Sequence, residues 1–313
     1  MSAVKYDYKK LTTNIDNFLY ISWEVTTFCN YSCSYCWPES HDNVNKWPTD
    51  FNKIVIFFNK LRKAYENKKI FIEIMGGEPT LWPDLKNFIR FFNNNFFINL
   101  VTNFTKNKRY WEDFPRVCLF SLSFHPERAS VDNFLEKLDI LCKKQENIAI
   151  SFMYLPQYKE KNFEMIKKIK EKNYKVFFVS KIIKNYETGM HLESYTKEDF
   201  DNIKRNNFYN SNNLNLIFPS KFVLDGKEQN INFWKEIQEK KQNSWVGWKC
   251  YIGSKRLFIK ANGDIYKATC RVGGKIGNIY DENFFKLEKE YEICTKKICE
   301  CKVDAFIEKE FVE

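Results

Sequence analysis

Between about residue 20 and residue 180 the apolar positions follow two alternating periods. Nearly continuous apolar runs stand at Tyr20–Thr26, Ile70–Met75, Phe97–Thr102, Val117–Phe124, Ile148–Tyr154 and Lys175–Ser180, as strands covered on both faces require. Between them apolar residues recur every three or four positions. Ile54, Phe57, Phe58, Leu61 and Tyr65 make one stripe, and Val131, Phe134, Leu135, Leu138, Leu141 and Cys142 another, the pattern of amphipathic helices. Strand and helix in alternation predict an α/β fold of parallel strands joined by crossover helices. Ligand sites in such folds gather where strands end. The loops to inspect are therefore Thr27–Asn30, Gly76–Thr80, Asn103–Lys106, His125–Pro126 and Leu155–Gln157.

The pattern changes further along. Residues 181–249 mix polar and helical character, with an Asn-rich loop at Asn207–Asn215 and a helix expected over Asn232–Lys241, and read as a linker or lid. From residue 250 a hairpin is expected, with strands Arg256–Lys260 and Ile265–Ala268 around a turn whose Asn262-Gly263 supplies positive φ. Only four of the ten glycines precede residue 247, and two of those are the neighbours Gly76 and Gly77. We divide the chain into a core over 1–180, the linker or lid over 181–249, and a small Cys-rich α+β domain over 250–313.

Composition narrows the class. At 44% hydrophobic and 29% charged, the chain is neither disordered nor fibrous. No run of about 18 apolar residues occurs; even Phe91–Phe104 is broken by Asn93, Asn94, Asn95, Asn99 and Asn103, so no membrane partner is expected. The 30 Phe are expected to fill the core. The charge of +10 favours anionic partners, although Lys167, Lys168, Lys170 and Lys172 read as a solvated helix face. Ten cysteines are too few for a disulfide scaffold, and the charged first residues exclude a secretory signal, so reduced thiols in a cytoplasm are expected.

Cysteine positions carry the chemistry. Cys29, Cys33 and Cys36 form C-x3-C-x2-C on the loop after the first strand. A closed zinc site needs four ligands, which would recruit His41, whereas a [4Fe–4S] cube held by three cysteines keeps one iron open. Cys118 and Cys142 stand singly and read as core.

With Tyr35 as the aromatic residue before its last cysteine, this motif resembles the C-x3-C-x-aromatic-C hallmark of the radical S-adenosylmethionine (radical SAM) superfamily. The resemblance implies a partial (β/α)6 TIM-like barrel over about residues 18–180. It also implies a [4Fe–4S] cluster whose open iron binds SAM, and reductive cleavage of SAM to a 5′-deoxyadenosyl radical that abstracts hydrogen from substrate. A reductant such as flavodoxin or ferredoxin is implied as partner. Met75-Gly76-Gly77-Glu78-Pro79 matches the superfamily's GGE motif, which positions the SAM amino group; the absent side chains would let backbone carbonyls approach the ligand and Glu78 would pair with its ammonium. Thr102-Asn103 is similar to the TNG-like sequence of relatives, with Phe104 in place of glycine. Ser123 and His125 close the fourth strand, where relatives place SAM contacts. His125 is the candidate catalytic residue, for SAM or substrate contact or proton transfer, against a purely structural histidine.

Cys250, Cys270, Cys294, Cys299 and Cys301 supply five further thiols. They resemble the SPASM or twitch extension of radical SAM enzymes and imply one auxiliary [4Fe–4S] cluster, against a structural zinc site. The spacing Cys250-x12-Gly263-x6-Cys270 departs from the usual opening of that extension.

The first functional expectation is a radical SAM enzyme acting on a small, anionic substrate, favoured because a cluster beginning at Cys29 leaves no room for an amino-terminal peptide-binding domain. Modification of a ribosomal peptide is the alternative within the same chemistry, and an RNA-modifying enzyme would need a module not found here. From another class comes a non-enzymatic, zinc-stabilised nucleic-acid-binding protein.

Overall fold

A computed structural model describes residues 9–13, 17–185, 192, 194–209, 222–229, 237, 242–281, 290–299, 302–305 and 307–312. In chain order the elements are β1 (Lys10–Thr13), β2 (Phe18–Thr26), α1 (Phe51–Ala64), β3 (Lys69–Gly76), α2 (Leu85–Phe92), β4 (Phe97–Thr102), α3 (Lys108–Glu112), β5 (Leu119–Phe124), α4 (Val131–Cys142), β6 (Ile148–Tyr154), α5 (Lys159–Glu171), β7 (Phe177–Ile182) and α6 (Lys197–Asn206). There follow β8 (Phe208–Tyr209), β9 (Phe222–Leu224), β10 (Lys227–Gln229), β11 (Lys249–Cys250), β12 (Arg256–Ile259), β13 (Asp264–Tyr266), β14 (Lys275–Asn278), β15 (Glu292–Ile293), α7 (Lys302–Ala305) and β16 (Lys309–Glu310). The six strands expected up to residue 180 are present as β2 to β7. Phe208–Tyr209, inside the expected Asn-rich loop, pairs antiparallel with β7. The helix expected over Asn232–Lys241 lies outside the described residues except for Ile237.

The chain folds as two compact units interleaved in sequence: one holds Glu24–Thr49 and Glu73–Leu214, the other Met1–Trp23, Asp50–Ile72 and Asn215–Glu313. In the first, β4, β5, β6 and β7 pair in parallel and in order, each crossover being a helix. Its interior is aromatic. Trp111 packs on Phe104 at 4.5 Å and on Phe114 at 5.2 Å, and Phe124 stacks on Phe152 at 4.8 Å, contacts that add directional attraction to buried area. The helices start where the sequence offers caps: Ser130 Oγ accepts from Asn133 N, and Thr196 with Asp199 closes a capping box. The lysine-rich α5 turns its charges outward, with Lys168 paired to Asp132 and Glu164 and Lys172 to Asp139.

In the second unit β10, β9, β1, β16, β11 and β15 form a sheet in that order, antiparallel at every pairing. The expected hairpin is β12 and β13, with Gly263 at φ +87° in the turn. The fully buried Arg256 anchors it: Nε donates to Asp304 Oδ1 at 2.9 Å and Nη2 to Ser22 Oγ and Thr269 Oγ1. No helix among the described residues is long and apolar enough to cross a membrane.

Candidate active site

The three-cysteine loop leaves β2 at Thr26 and is closed at its base by its own backbone. Thr27 N donates to Asn45 O and Asn45 N to Thr27 Oγ1, both at 2.9 Å, while Cys29 N donates to Asn43 Oδ1 at 3.1 Å. Two other strand ends then grip the loop. From β4, Asn103 Nδ2 donates to Asn30 Oδ1 at 2.9 Å and approaches Cys29 Sγ at 3.8 Å. From β5, Glu127 accepts from Ser34 N and Oγ, and Arg128 Nη2 donates to Ser32 O. Cys33 is buried, and Cys29 and Cys36 are half-buried. Burial raises all three thiols, Cys33 to about 11, and Cys29 and Cys33 are raised further by the neighbouring thiolates.

The Gly-Gly pair meets this loop backbone to backbone. Gly77 N donates to Thr26 O and Glu78 N to Phe28 O, both at 2.7 Å. A Cβ at Gly76 would stand 2.3 Å from Thr26 O, and one at Gly77 2.2 Å from Phe28 O, and Gly76 also holds φ +130°. The close approach expected toward a ligand is made here to the chain's own cysteine loop. Glu78, wholly buried, accepts at Oε1 from Thr80 N, Thr80 Oγ1 and Thr102 Oγ1 and at Oε2 from Asn103 N, the last at 2.7 Å. Burial pushes its carboxyl up while these four donors pull it down, with a net rise. The carboxylate thus ties the end of β3 to the end of β4.

Phe104, at the position where a glycine is expected from the motif, occupies the left-handed region at φ +61°. Its carbonyl accepts from Lys137 Nζ at 2.5 Å and its ring faces the same ammonium at 5.1 Å. Lys137 is buried, which draws its amine down to about 8. Lys137, Phe104, Asn103, Tyr31, Arg128 and Ser130 line a cavity of about 320 Å³ beside the cysteine loop.

His125 lies against the cysteine motif. Its Nδ1 is 2.9 Å from Tyr35 Oη and 3.4 Å from Cys33 Sγ, and its ring is parallel to that of Tyr35 within 7°. Burial raises the Tyr35 phenol, so its hydroxyl keeps the proton and shares a hydrogen bond with His125 Nδ1 while lying beside Cys33. Burial also lowers His125 to about 4. Ser123 stands half-buried on β5, two residues before His125. His41 Nδ1 donates to Trp37 O at 2.9 Å. Asn30, Thr80 and Thr102 lie within stretches the sequence marked but were given no role there, and Glu127, Arg128 and Lys137 were not singled out. Glu127 and Arg128 directly follow a strand-end loop already marked for inspection, and that position was their available signal.

In the other unit Cys250 and Cys294 are buried in one apolar cluster, with Cys270 and Cys299 packed against it; Cys301 lies outside the described residues. Burial raises Cys250 to about 11 and raises Cys270 and Cys299, and the thiols feel one another's charge. Cys270 N donates to Asp304 Oδ2 at 3.1 Å and Cys299 N to Asn243 O at 2.7 Å. Among the described residues no group of three His, Cys, Asp or Glu side chains is drawn together closely enough to hold a single metal ion. No disulfide joins the described cysteines.

The Radical SAM superfamily model matches residues 23–186, just over half the chain. The chain belongs to the radical SAM superfamily. Membership implies a [4Fe–4S] cluster with SAM, and the Cys29, Cys33 and Cys36 loop fits it by donor chemistry. Three soft sulfurs share one loop, and the Tyr31 N–H and the Asn103 amide point at Cys29 Sγ. Similar solved structures include polyhistidine-tagged anSMEcpe with bound AdoMet, at TM-score 0.50 and 16% identity over 84% of this chain and 78% of that one. Native anSMEcpe with bound AdoMet has TM-score 0.50 and 17% identity over the same shares. BtrN in complex with AdoMet and 2-DOIA has TM-score 0.42 and 14% identity, also over 84% and 78%. At these identities the first two speak for the fold of this radical SAM chain alone. No curated protein matches it.

Two outcomes follow from this geometry. Gly77→Val drives a side chain into Phe28 O, and we expect it to cost about 2 kcal/mol or more and, by displacing the cysteine loop, to cut several-fold the iron lost on Cys29→Ala/Cys33→Ala/Cys36→Ala substitution; a wild-type share of that iron would refute the backbone contact. The lowered His125 makes the unfolded state bind the extra proton between about pH 4 and 6.5. Its contribution to stability is therefore complete above pH 6.5 and is lost as pH falls toward 4. Urea unfolding of cluster-free protein across that window should show a pH dependence that is weaker in His125→Phe; superimposable curves would count against it.

Proposed function

We propose that this chain is a radical SAM enzyme that acts on a small, anionic substrate, with its core on a partial (β/α)6 barrel and a SPASM- or twitch-like region carrying a second cluster. When bound, the cluster and SAM supply one-electron cleavage to a 5′-deoxyadenosyl radical that takes hydrogen from the substrate. The residues of the chain hold and orient. Cys29, Cys33 and Cys36 would ligate the cluster, and Asn103 and Tyr31 direct N–H groups at Cys29 Sγ. The strand end Gly76–Glu78 holds the loop in place, and a SAM ammonium would meet backbone carbonyls there because Glu78 is committed to its four donors. Tyr35 stacks on His125 and hydrogen-bonds its Nδ1, which holds the imidazole at the cysteine motif where it would contact SAM or substrate.

The observation that carries the anionic substrate is the cavity beside the cysteine loop, which the buried Lys137 and the exposed Arg128 both help to line. Two basic side chains along one small volume favour a carboxylate or phosphate guest. For the auxiliary [4Fe–4S] centre, the support is the gathering of Cys250, Cys270, Cys294 and Cys299 in one apolar cluster, four thiols being a full ligand set.

Protein purified anaerobically should bear iron and sulfide and release 5′-deoxyadenosine from SAM under dithionite; zinc alone with no cleavage would end this reading. Once a substrate is in hand, Lys137→Met should raise its KM about tenfold while uncoupled SAM cleavage stays unchanged. Weakened SAM binding in that variant would reassign the cavity to SAM itself.

A further inference from the structure

β16 runs antiparallel to β11 in the cysteine-bearing unit, and the register sets Lys309 directly opposite Cys250. Opposed residues of an antiparallel pair send their side chains to the same face of the sheet. Lys309 is 1% exposed, and an ammonium so placed needs compensation. Its Nζ donates to Asp304 O and Ile307 O at 2.8 Å and to Ala305 O at 3.2 Å, and it lies 4.8 Å from the centre of the Trp245 ring. Three carbonyl dipoles and one aromatic face therefore hold it, and among the described residues no carboxylate does.

The contrast with Arg256 is informative. That guanidinium is equally buried, but Asp304 neutralises it, and the second oxygen of Asp304 is taken by the Cys270 N–H. The pair sums to zero, which leaves Lys309, opposite Cys250, as a buried charge with no acidic partner among the described residues. A buried cation with no acid among the described residues, on the sheet face it shares with Cys250, is balanced once the neighbouring thiols are ionised by a bound metal cluster.

We propose that Lys309 is the counter-cation of the auxiliary centre, a positioning residue whose fixed charge offsets the negative charge of a cluster ligated by Cys250, Cys270, Cys294 and Cys299 and raises its reduction potential. The inference rests on the auxiliary-centre reading given above. Reduction adds one electron to an already anionic cluster, and a cation in a low-dielectric surrounding stabilises the reduced form more than the oxidised one.

The test uses Cys29→Ala/Cys33→Ala/Cys36→Ala protein, reconstituted anaerobically with iron and sulfide, so that the auxiliary centre alone gives a paramagnetic signal on reduction. Into it are placed Lys309→Gln, which keeps an N–H donor for the carbonyls but loses the charge, and Lys309→Arg, which keeps the charge. In a dithionite titration followed by electron paramagnetic resonance, Lys309→Gln should be reduced at a lower potential than its parent, and Lys309→Arg close to it. Equal potentials in Gln variant and parent overturn the proposal. Iron lost from the Gln variant but kept in the Arg variant supports it, since charge is what separates them. Iron lost from both assigns Lys309 to packing and overturns it. A parent without iron overturns the auxiliary-centre reading itself, a failure separate from that of Lys309.

Discussion

The candidate active site depends on a contact between two stretches of bare backbone. Gly76 and Gly77 have no Cβ, so the end of β3 can lie on Thr26 to Phe28 at hydrogen-bonding distance, and any side chain there would enter a carbonyl oxygen. That contact sets the depth at which the cysteine loop leaves the sheet. Glu78, next in sequence, passes the constraint sideways: its four donors come from the Thr80 turn and the end of β4, and the Asn103 it holds in turn reaches Asn30 and Cys29. One glycine pair and one buried carboxylate thus fix three strand ends relative to three sulfurs.

The periodicity of the sequence was sufficient for β2 to β7 and for the helical stripes of α1 and α4, because continuous apolar runs and 3.6-residue stripes are local patterns. Gly76, Gly77 and Glu78 were found as a motif, but the reason for them was not legible. Gly77 is constrained by Phe28, far earlier in the chain, and no local rule pairs the two. The four donors that occupy Glu78 were hidden for the same reason. Phe104 shows the opposite case: its departure from a glycine pattern was visible, yet the backbone keeps the left-handed conformation. Lys137 holds the carbonyl in place, and Trp111 and Phe134 bury the ring. Burial of an aromatic ring, worth about 3–5 kcal/mol, outweighs a backbone strain of about 1–3 kcal/mol.

The two cysteine groups sit in different electrostatic settings. Around Cys29, Cys33 and Cys36 the structure supplies dipoles and neutral donors, with Glu127 and Arg128 holding the loop by its backbone and serines. Around Cys250, Cys270, Cys294 and Cys299 it supplies full charges beside an apolar cluster, the Arg256–Asp304 pair and Lys309, for which no acid stands among the described residues. On the proposed reading, a loop that leaves one metal position open to a ligand and a centre closed by four thiols would call for different surroundings.

Burial of the first three thiols also bears on the life of the chain before iron arrives. With Cys33 raised to about 11 and its neighbours raised as well, the sulfurs are protonated at neutral pH, and a protonated thiol is a poor nucleophile toward oxidants and disulfides. In the folded chain these thiols are thereby less open to crosslinking. If they take up a cluster as proposed above, loading would expel three protons and would be easier in mildly alkaline surroundings and harder in acid.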